Sequence, residues 1–281
     1  MKLSNNTIKP EKYKIEKYFF NKDRIKREKY FYFVFRNKNL NIPKILEISE
    51  NKITFKKNKF KKIKSQKLFF EELLNFLIRT NRQKTYKLYA KENLTSYKKL
   101  LYQVKKRFKK ICELKIEKKY LKKIKKIKLY INKILQETPS SISLSRCPKI
   151  ISQSDIGFHN CGIDNGKVYF YDFEYAGLDH PIKTICDIYY QPEKKIDKKY
   201  ILRFINSLEK NFKFKLPKNF YEFERLFKIK MMLIILNILV ESNIKNKTQL
   251  ISKVKLNKLI SERINKAYRY IKFPFIYEHK N

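Results

Sequence analysis

The first sixty residues switch between strand-like and helix-like patterns of apolar positions. Residues 14–20 alternate as a strand does, and residues 23–36 repeat apolar and charged positions at helical spacing, with Asp23 as the predicted N-cap. Two further short strands are predicted at residues 45–48 and 52–55. This order predicts a small sheet accompanied by one helix.

The remainder of the chain is mainly helical in its pattern. A helix is predicted from Ser65 to about residue 78, and residues 96–135 repeat apolar positions three or four apart, which predicts one long amphipathic helix or a helical pair. The apolar run at residues 231–240 is too short to span a bilayer and is predicted to be a buried helix. Three more helical patterns follow the glycine-containing segment, at residues 197–211, 218–242 and 249–271.

Charge adds a second possible interpretation. The formal net charge is +42, which attracts polyanions at long range and makes a basic nucleic-acid-binding protein one candidate class. However, 57 lysines stand against 11 arginines, and they are spread along the whole chain, as AT-rich coding would produce. A dedicated nucleic-acid surface relies on arginine for bidentate contacts. The sequence therefore predicts no specific nucleic-acid partner, and the nucleic-acid class is kept as the third alternative.

The cysteines and the start of the chain bear on its location. The four cysteines form no CxxC pair and no metal-ligand spacing with the three histidines. Free thiols in a reducing compartment are the expected state. The first residues contain no apolar signal segment. These features predict a cytoplasmic protein without a membrane span, and they leave its oligomeric state open.

One short segment holds the residues suited to chemistry. All four glycines and five of the seven aspartates lie between Asp155 and Asp187. Within it, Asn165-Gly166 is the signature of a type I′ hairpin, and centring the turn there pairs Asn160 with Tyr171. Asn160 and Asp172 then reach the same open end of the hairpin. For both to bind one ion, the chain must leave the regular ladder at that end, because regular alternation would point them to opposite faces.

A carboxylate, an amide five positions later and a second carboxylate returned by a hairpin form a set suited to phosphoryl transfer. This reaction needs Mg²⁺ held by hard oxygen ligands and a carboxylate that accepts the proton of the acceptor hydroxyl. Asp155 is the candidate base, and Asn160 with Asp172 are the candidate metal ligands. The alternative is that Asp155 and Asp172 merely cap turns.

Two strings carry a family resemblance: SDIGFHN at residues 154–160 and YDFEYAG at residues 171–177. They resemble the catalytic and metal motifs of the aminoglycoside phosphotransferase and choline kinase superfamily. The resemblance implies an α+β, bilobal protein-kinase-like fold, with a reduced N-terminal nucleotide lobe at residues 1–64 and a mainly helical catalytic and acceptor-binding lobe at residues 65–281. It also implies an ATP-dependent phosphotransferase, with ATP and Mg²⁺ as cofactors and a small-molecule hydroxyl acceptor such as a sugar or an amino alcohol like choline.

The resemblance also suggests roles in the N-terminal lobe. Glu28 is similar to the helix glutamate that pairs with a phosphate-binding lysine. Lys17 is the candidate for that lysine, with Lys14 as the alternative, although one alignment puts Glu16 at the position.

Around the catalytic motif, Asp187 is expected to support the catalytic loop from below. Glu174 and Tyr175 are candidates to line the acceptor site, although Tyr175 is equally well explained by packing. His159 is expected to be a hydrogen-bonded loop residue, because phosphoryl transfer has no need of an imidazole.

Two departures from the family pattern matter. Gln153 stands where the superfamily has a histidine two residues before the catalytic aspartate. No glycine precedes Gly157, and only about a dozen residues precede the first predicted strand, so the glycine-rich hairpin that covers ATP phosphates is expected to be absent or strongly altered. The second function class is therefore a catalytically inactive, kinase-like binding protein.

Overall fold

A four-stranded antiparallel sheet opens the chain in the computed structural model, which describes residues 6–36, 40–82, 88–114, 116–144, 147–240 and 252–277. The strand order is β1-β2-β4-β3, and helix α1 (Lys22–Arg36) connects the second strand to the third. Three of the strands and the helix confirm the predicted sheet. The strands are β1 (Asn6–Pro10), β2 (Lys14–Phe19), β3 (Ile45–Ile48) and β4 (Lys52–Lys56).

Strand β1 was not predicted. It pairs antiparallel with β2, from Asn6 opposite Phe19 to Pro10 opposite Ile15, so the expectation that the first strand begins near residue 14 is wrong. The sequence NTIKP contains one large apolar residue and shows no alternation that would indicate a strand. Its position at the edge of the sheet explains this, because an edge strand can be short, polar and end in proline.

The start of α1 also corrects the sequence analysis. The side-chain oxygen of Asn21 accepts hydrogen bonds from the backbone N–H groups of Asp23, at 2.9 Å, and Arg24, at 3.2 Å. Asn21 is therefore the N-cap, and the prediction of Asp23 is wrong. Asp23 lies in the first turn, where its negative charge favours the helix dipole.

Seven more elements confirm or extend the helical prediction. Ser65 caps its helix as expected, accepting from Leu68 N–H at 3.2 Å, and the pattern at residues 96–135 is a helical pair. Helix α5 was not predicted, because its nine residues are fewer than the window over which a helical period can be recognised. The predicted helix end at 242 and start at 249 lie outside the described residues. The helices are α2 (Gln66–Asn81), α3 (Tyr97–Cys112), α4 (Lys118–Glu137), α5 (Pro181–Tyr189), α6 (Lys198–Phe212), α7 (Phe220–Leu236) and α8 (Lys253–Arg269).

Two short antiparallel pairs follow the helical pair. Strand β5 (Ile150–Ser152) pairs with β8 (Gly177–Asp179), and β6 (Cys161–Asp164) pairs with β7 (Lys167–Phe170). The β6–β7 turn has Asn165 at φ +47° and Gly166 at φ +73°, and Cys161 faces Phe170, which confirms the predicted type I′ hairpin and its register.

The chain forms two compact units. The first contains residues 1–93 and 147–215, and the second contains residues 94–146 and 216–281. In the first unit, the ring of Phe173 lies 4.9 Å from those of both Tyr32 and Phe35, so the aromatic core anchors the chain directly after Asp172. The predicted lobes, at residues 1–64 and 65–281, have other boundaries than these compact units. They stay a prediction.

The second unit is all helix in its described regular elements. The apolar run in α7 is buried, with Met232 and Leu236 at 0% exposure, which confirms the predicted buried helix. Among the described residues, no helix combines the length and the apolar character needed to cross a membrane. Within the described residues, the cysteines at positions 112, 147, 161 and 186 form no disulfide.

Candidate active site

The loop between β5 and β6 presents Asp155. The Nδ2 group of Asn160 donates to the backbone oxygen of Asp155 at 2.8 Å and to its carboxylate Oδ2 at 3.2 Å. The other carboxylate oxygen lies 3.2 Å from Nε2 of His159, as expected for a hydrogen-bonded loop residue. The Asp155 side chain is 49% exposed. A carboxylate that is oriented by two neighbours and open on its other side can accept a proton from a molecule that reaches the loop.

Gln153 connects this loop to the end of the hairpin. The residue is buried, and its side-chain Nε2 donates to the backbone oxygen of Tyr171, the residue before Asp172. A glutamine donor can hold this carbonyl without any ionisable group. The departure from the family histidine therefore keeps a side-chain tether between the loop and the strand end.

Asp172 leaves the ladder in the way the sequence analysis required. Tyr171 N–H donates to the backbone oxygen of Asn160 at 3.1 Å, and the next residue, Asp172, has φ +70°. A left-handed conformation at a non-glycine residue costs about 1–2 kcal/mol, so the surrounding structure must hold it. Asn160 and Asp172 thus lie at the same open end of the hairpin, and their joint binding of one ion stays a prediction.

A buried lysine receives the Asp172 carboxylate. Lys17 Nζ lies 2.8 Å from Asp172 Oδ1, 3.3 Å from Glu28 Oε2 and 3.4 Å from Glu174 Oε2. Burial disfavours the ammonium, but the three carboxylates outweigh it and raise the pKa of Lys17 above its usual value. We call these four residues the Lys17 cluster. Its lysine is a fixed positive charge at neutral pH.

The alternation of β2 gives the two candidate lysines different partners. Lys17 points to α1, whereas Lys14 pairs with Glu11 and Glu16. Glu16 also accepts from Tyr18 and Lys52, and those two hydrogen bonds lower its pKa to about 2. Adjacent strand positions face opposite sides of a sheet, so only odd-numbered Lys17 can meet the helix glutamate. Burial raises the pKa of that glutamate, Glu28, and the ammonium of Lys17 opposes this rise.

Three carboxylates of the cluster could take a cation. Glu28, Asp172 and Glu174 each offer an oxygen, and these oxygens all lie within 4.8 Å of one another. Asp172 was predicted as a metal ligand, whereas Glu174 was predicted to line an acceptor site. Asp172 has a left-handed backbone and Glu174 lies in a turn, so no regular spacing in the sequence could have joined Glu174 to Asp172.

A second buried lysine, Lys183 of α5, was missed. Its Nζ lies 2.6 Å from Asp187 Oδ2, 3.1 Å from Asp179 Oδ2 and 2.5 Å from Ser154 Oγ. Asp187 therefore reaches the loop through Lys183, which links it to the residue before Asp155. The four-residue spacing from Asp179 to Lys183 to Asp187 is a helical ion-pair pattern, and it was the available sequence signal.

Two arginines of α1 were also missed. Arg24 Nη1 lies 3.1 Å from Glu174 Oε1, and its guanidinium lies 5.0 Å from the centre of the Tyr175 ring. Arg27 Nη1 donates to the backbone oxygen of Ala176 at 2.8 Å. Nothing in the local sequence signals these contacts, because they join α1 to residues about 150 positions away.

Comparison with known proteins gives the fold its class. No protein-family profile matches the sequence, and no curated protein matches it. Among solved structures, a choline kinase from Streptococcus pneumoniae aligns with a TM-score of 0.61 and 12% identity, over 97% of this chain and 91% of that one. A choline/ethanolamine kinase family protein from Mesorhizobium loti aligns with a TM-score of 0.56 and 10% identity, over 96% and 86%.

An ADP-bound aminoglycoside phosphotransferase, APH(2'')-Ib, aligns with a TM-score of 0.51 and 15% identity, over 96% of this chain and 95% of that one. At these identities the likeness concerns the fold. The chain therefore has the α+β, protein-kinase-like fold found in aminoglycoside phosphotransferases and choline kinases, as the two sequence strings implied.

Proposed function

We propose that this chain is an ATP-dependent phosphotransferase that acts on a hydroxyl of a small molecule, in the class of sugars and amino alcohols. The observation that carries the proposal is the ion pair of buried Lys17 with Glu28, together with the 2.8 Å contact of Lys17 to Asp172. In kinase-like folds this lysine–glutamate pair and the metal-binding aspartate must all be in place for phosphoryl transfer. Solved structures of the same fold supply the class of activity.

In the proposed reaction, Asp155 accepts the proton of the acceptor hydroxyl. The acceptor oxygen forms a bond to the γ-phosphorus of ATP, the bond from that phosphorus to the bridging oxygen breaks, and ADP leaves with the electron pair. Asn160 and His159 orient the Asp155 carboxylate from two sides. Lys17 carries positive charge toward the phosphates, and Glu28 holds it.

The oxygen donors of the cluster suit Mg²⁺, which prefers carboxylate and amide oxygens. Asp172 would hold the ion together with Oδ1 of Asn160, since the Nδ2 group of that amide is already engaged with Asp155. Glu174 is a further carboxylate within reach of Asp172. When bound, Mg²⁺ neutralises phosphate charge.

Phosphate binding is the unusual part of the proposal. No glycine precedes Gly157, so the turn between β1 and β2 cannot supply the glycine-rich backbone cradle seen in related enzymes. Lys17, the metal and the overall positive field must carry that role. Nucleotide affinity is therefore expected to be weak and strongly dependent on salt.

The test is transfer from Mg-ATP to a panel of sugars, sugar phosphates, sugar acids and amino alcohols, with products detected by mass spectrometry. Asp155→Asn should lower turnover by about 10²-fold or more, the scale of a lost general base. Asp164→Asn is the matched control, because Asp164 is a hairpin carboxylate bonded to Asn58 at 2.7 Å, and it should keep its turnover.

Equal turnover by wild type and Asp155→Asn would remove Asp155 from the mechanism. No product and no nucleotide binding by the wild type would instead favour the inactive, kinase-like binding protein.

A further inference from the structure

A cationic pocket lies beside the Lys17 cluster, within the first unit. It has a volume of about 550 Å³, and we call it the α1 pocket. Four of its lining side chains are cations and only two are carboxylates. The lining residues are Asp23, Arg24, Lys26, Arg27, Tyr30, Leu88, Lys91 and Glu174.

The two carboxylates of the lining do not neutralise its four cations, so the pocket keeps a positive charge. Glu174 is only 4% exposed, and its two oxygens already contact Arg24 at 3.1 Å and Lys17 at 3.4 Å. Its negative charge is therefore balanced by the two cations that it contacts directly. Asp23 alone cannot balance Lys26, Arg27 and Lys91, so the pocket favours an anion.

The arginines are held in place before any ligand arrives. Arg27 Nη1 donates to the backbone oxygens of Tyr89, at 2.5 Å, and Ala176, at 2.8 Å. Arg24 is held by Glu174 and by the Tyr175 ring. Cations that are fixed in advance lose little entropy when they bind a ligand, which is the condition for a selective site.

One donor of Arg24 has no partner. Its Nε group is buried and makes no hydrogen bond within the part of the chain that the structure describes. Leaving a buried donor on a charged group unpaired is costly. Because this group is closed to solvent, the preference of the pocket for an anion comes from the cations that line it.

Composition argues against chance as the source of these cations. Lysine is common everywhere in this chain, but only 11 of its 281 residues are arginine, and two of them stand three positions apart in this pocket. Arginine presents a planar fork that matches an oxyanion, and lysine does not. A purely structural role would have Arg24 and Arg27 pin α1 to residues 174–176, with Lys91 lying 5.9 Å from the centre of the Tyr175 ring, but it gives no role to exposed Lys26.

The pocket also lies close to the proposed chemistry. Glu174 belongs both to the pocket and to the Lys17 cluster. A molecule in the α1 pocket would thus stand beside the Lys17 cluster, where the proposed phosphate-binding lysine lies.

We infer that the α1 pocket binds an oxyanion, a phosphate or carboxylate group carried by the phosphate acceptor. The acceptor is then an anionic hydroxyl compound, such as a sugar phosphate or a sugar acid, and not a cation such as choline. This inference rests on the proposed function for the identity of the ligand, but the binding itself does not depend on transfer.

The first experiment measures binding without ATP. Isothermal titration at about 0.15 M salt, where distant charges are screened beyond about 8 Å, compares glucose 6-phosphate and glucuronate with glucose and choline. Glucose 6-phosphate and glucuronate distinguish a phosphate from a carboxylate ligand. Wild type should bind one of the two anions saturably and should bind neither glucose nor choline.

Variants then locate the binding. The double variant Lys26→Met/Lys91→Met and the single variant Arg24→Lys should each weaken anion binding by about 10-fold or more, since each loses charge-assisted hydrogen bonds to the anion. Lys22→Met is the matched control on the same helix, because Lys22 is 82% exposed, lies outside the pocket and pairs with Glu50. Equal weakening in all three variants would show a diffuse field and overturn the inference.

Transfer assays separate this inference from the proposed function. Phosphorylation of an anionic acceptor whose KM rises in the double variant, with kcat retained, supports both. Transfer only to choline or another cation overturns the α1 pocket as an acceptor site and leaves the proposed function standing. Anion binding that depends on Arg24, without transfer to any acceptor, overturns the proposed function and the assignment of the ligand as an acceptor.

Discussion

Two buried lysines, one in each compact unit, have opposite surroundings. Lys17 is surrounded by three carboxylates, which raise its pKa. Lys228 of α7 is 1% exposed and donates to the backbone oxygen of Phe273 at 2.7 Å, with its Nζ 4.2 Å from the Phe275 ring. Burial lowers the pKa of Lys228 to about 8, and Glu224 only partly opposes this.

The difference shows how one residue type serves two purposes. A lysine among carboxylates keeps its charge and balances them, and a ligand phosphate can compete for it. A lysine among backbone carbonyls and aromatic rings donates hydrogen bonds to the carbonyls, and burying its charge lowers the stability of the folded protein. In the second unit, Lys228 and Glu224 together hold the C-terminal stretch, since Glu224 accepts from Ile276 N–H. We therefore expect Lys17 to matter for chemistry and Lys228 for structure.

The strongest test of this comparison removes each of the two amines in a separate variant. Lys17→Met should lower turnover by about 10³-fold, or about 4 kcal/mol, because it removes the cation proposed to bind the phosphates. Lys228→Met should leave turnover within about 2-fold, since the contacts of Lys228 lie within the second unit. Steady-state transfer rates for the two variants decide the point. Comparable losses would show that the proposed division of roles is wrong.

A further control concerns Lys14, which lies on the same strand as Lys17 but pairs with Glu11 and Glu16. Lys14→Met should keep turnover near the wild-type value. If Lys14→Met loses more activity than Lys17→Met, Lys14, the alternative of the sequence analysis, becomes the better candidate for the phosphate-binding lysine.

The next largest effect is expected at Lys183, which, like Lys17, is a buried lysine paired with carboxylates, here those of Asp179 and Asp187. Lys183→Met leaves Asp179 and Asp187 without their common cation and should lower the free energy of unfolding by about 3 kcal/mol. Chemical denaturation measures this. The loop residue Ser154 also loses a partner, so kcat should fall more than KM rises in the folded variant. An unchanged kcat would limit Lys183 to a structural role.

Much of the first unit could be predicted because its signals are local. The Asn165-Gly166 pair predicts the hairpin turn, and the strand register that follows from this turn determines that Asn160 and Asp172 lie at the open end of the hairpin. The pairing of Lys17 with Glu28 was instead expected from the family resemblance, which left Lys14 open as the alternative, and the structure places Lys17 beside Glu28.

The missed features depend on contacts between distant segments. Arg24 and Arg27 acquire their roles only when α1 meets residues 174–176, and β1 becomes a strand only because β2 offers it an edge. Helix α5 is only nine residues long, so the alternation of its polar and apolar positions is too short to stand out in the sequence. Periodicity cannot reveal elements of this kind.

A pH titration tests whether burial lowers the pKa of Lys228. Its pKa is about 8 in the folded protein, against 10.5 ordinarily, so between these values the unfolded chain binds more protons than the native one. The free energy of unfolding should therefore rise as the pH increases through this window, by about 2 kcal/mol relative to Lys228→Met. Denaturant unfolding of both proteins at pH 7.5 and about pH 10 measures the difference. A parallel pH dependence in the two proteins would show that Lys228 keeps its ordinary pKa.

The smallest expected effect concerns the helix that brings Glu28 to Lys17. Asn21→Ala removes the side-chain oxygen that caps α1 and should destabilise the first unit by about 1 kcal/mol. Asp23→Ala is the matched control, because Asp23 makes only a first-turn dipole contribution of about 0.3–1 kcal/mol, so it should cost less at high salt. Hydrogen exchange of α1 amides reports the local effect, while the exchange of α7 amides in the second unit should not change. A larger loss from Asp23→Ala at high salt would return the cap to Asp23 and would contradict the hydrogen bonds assigned to Asn21.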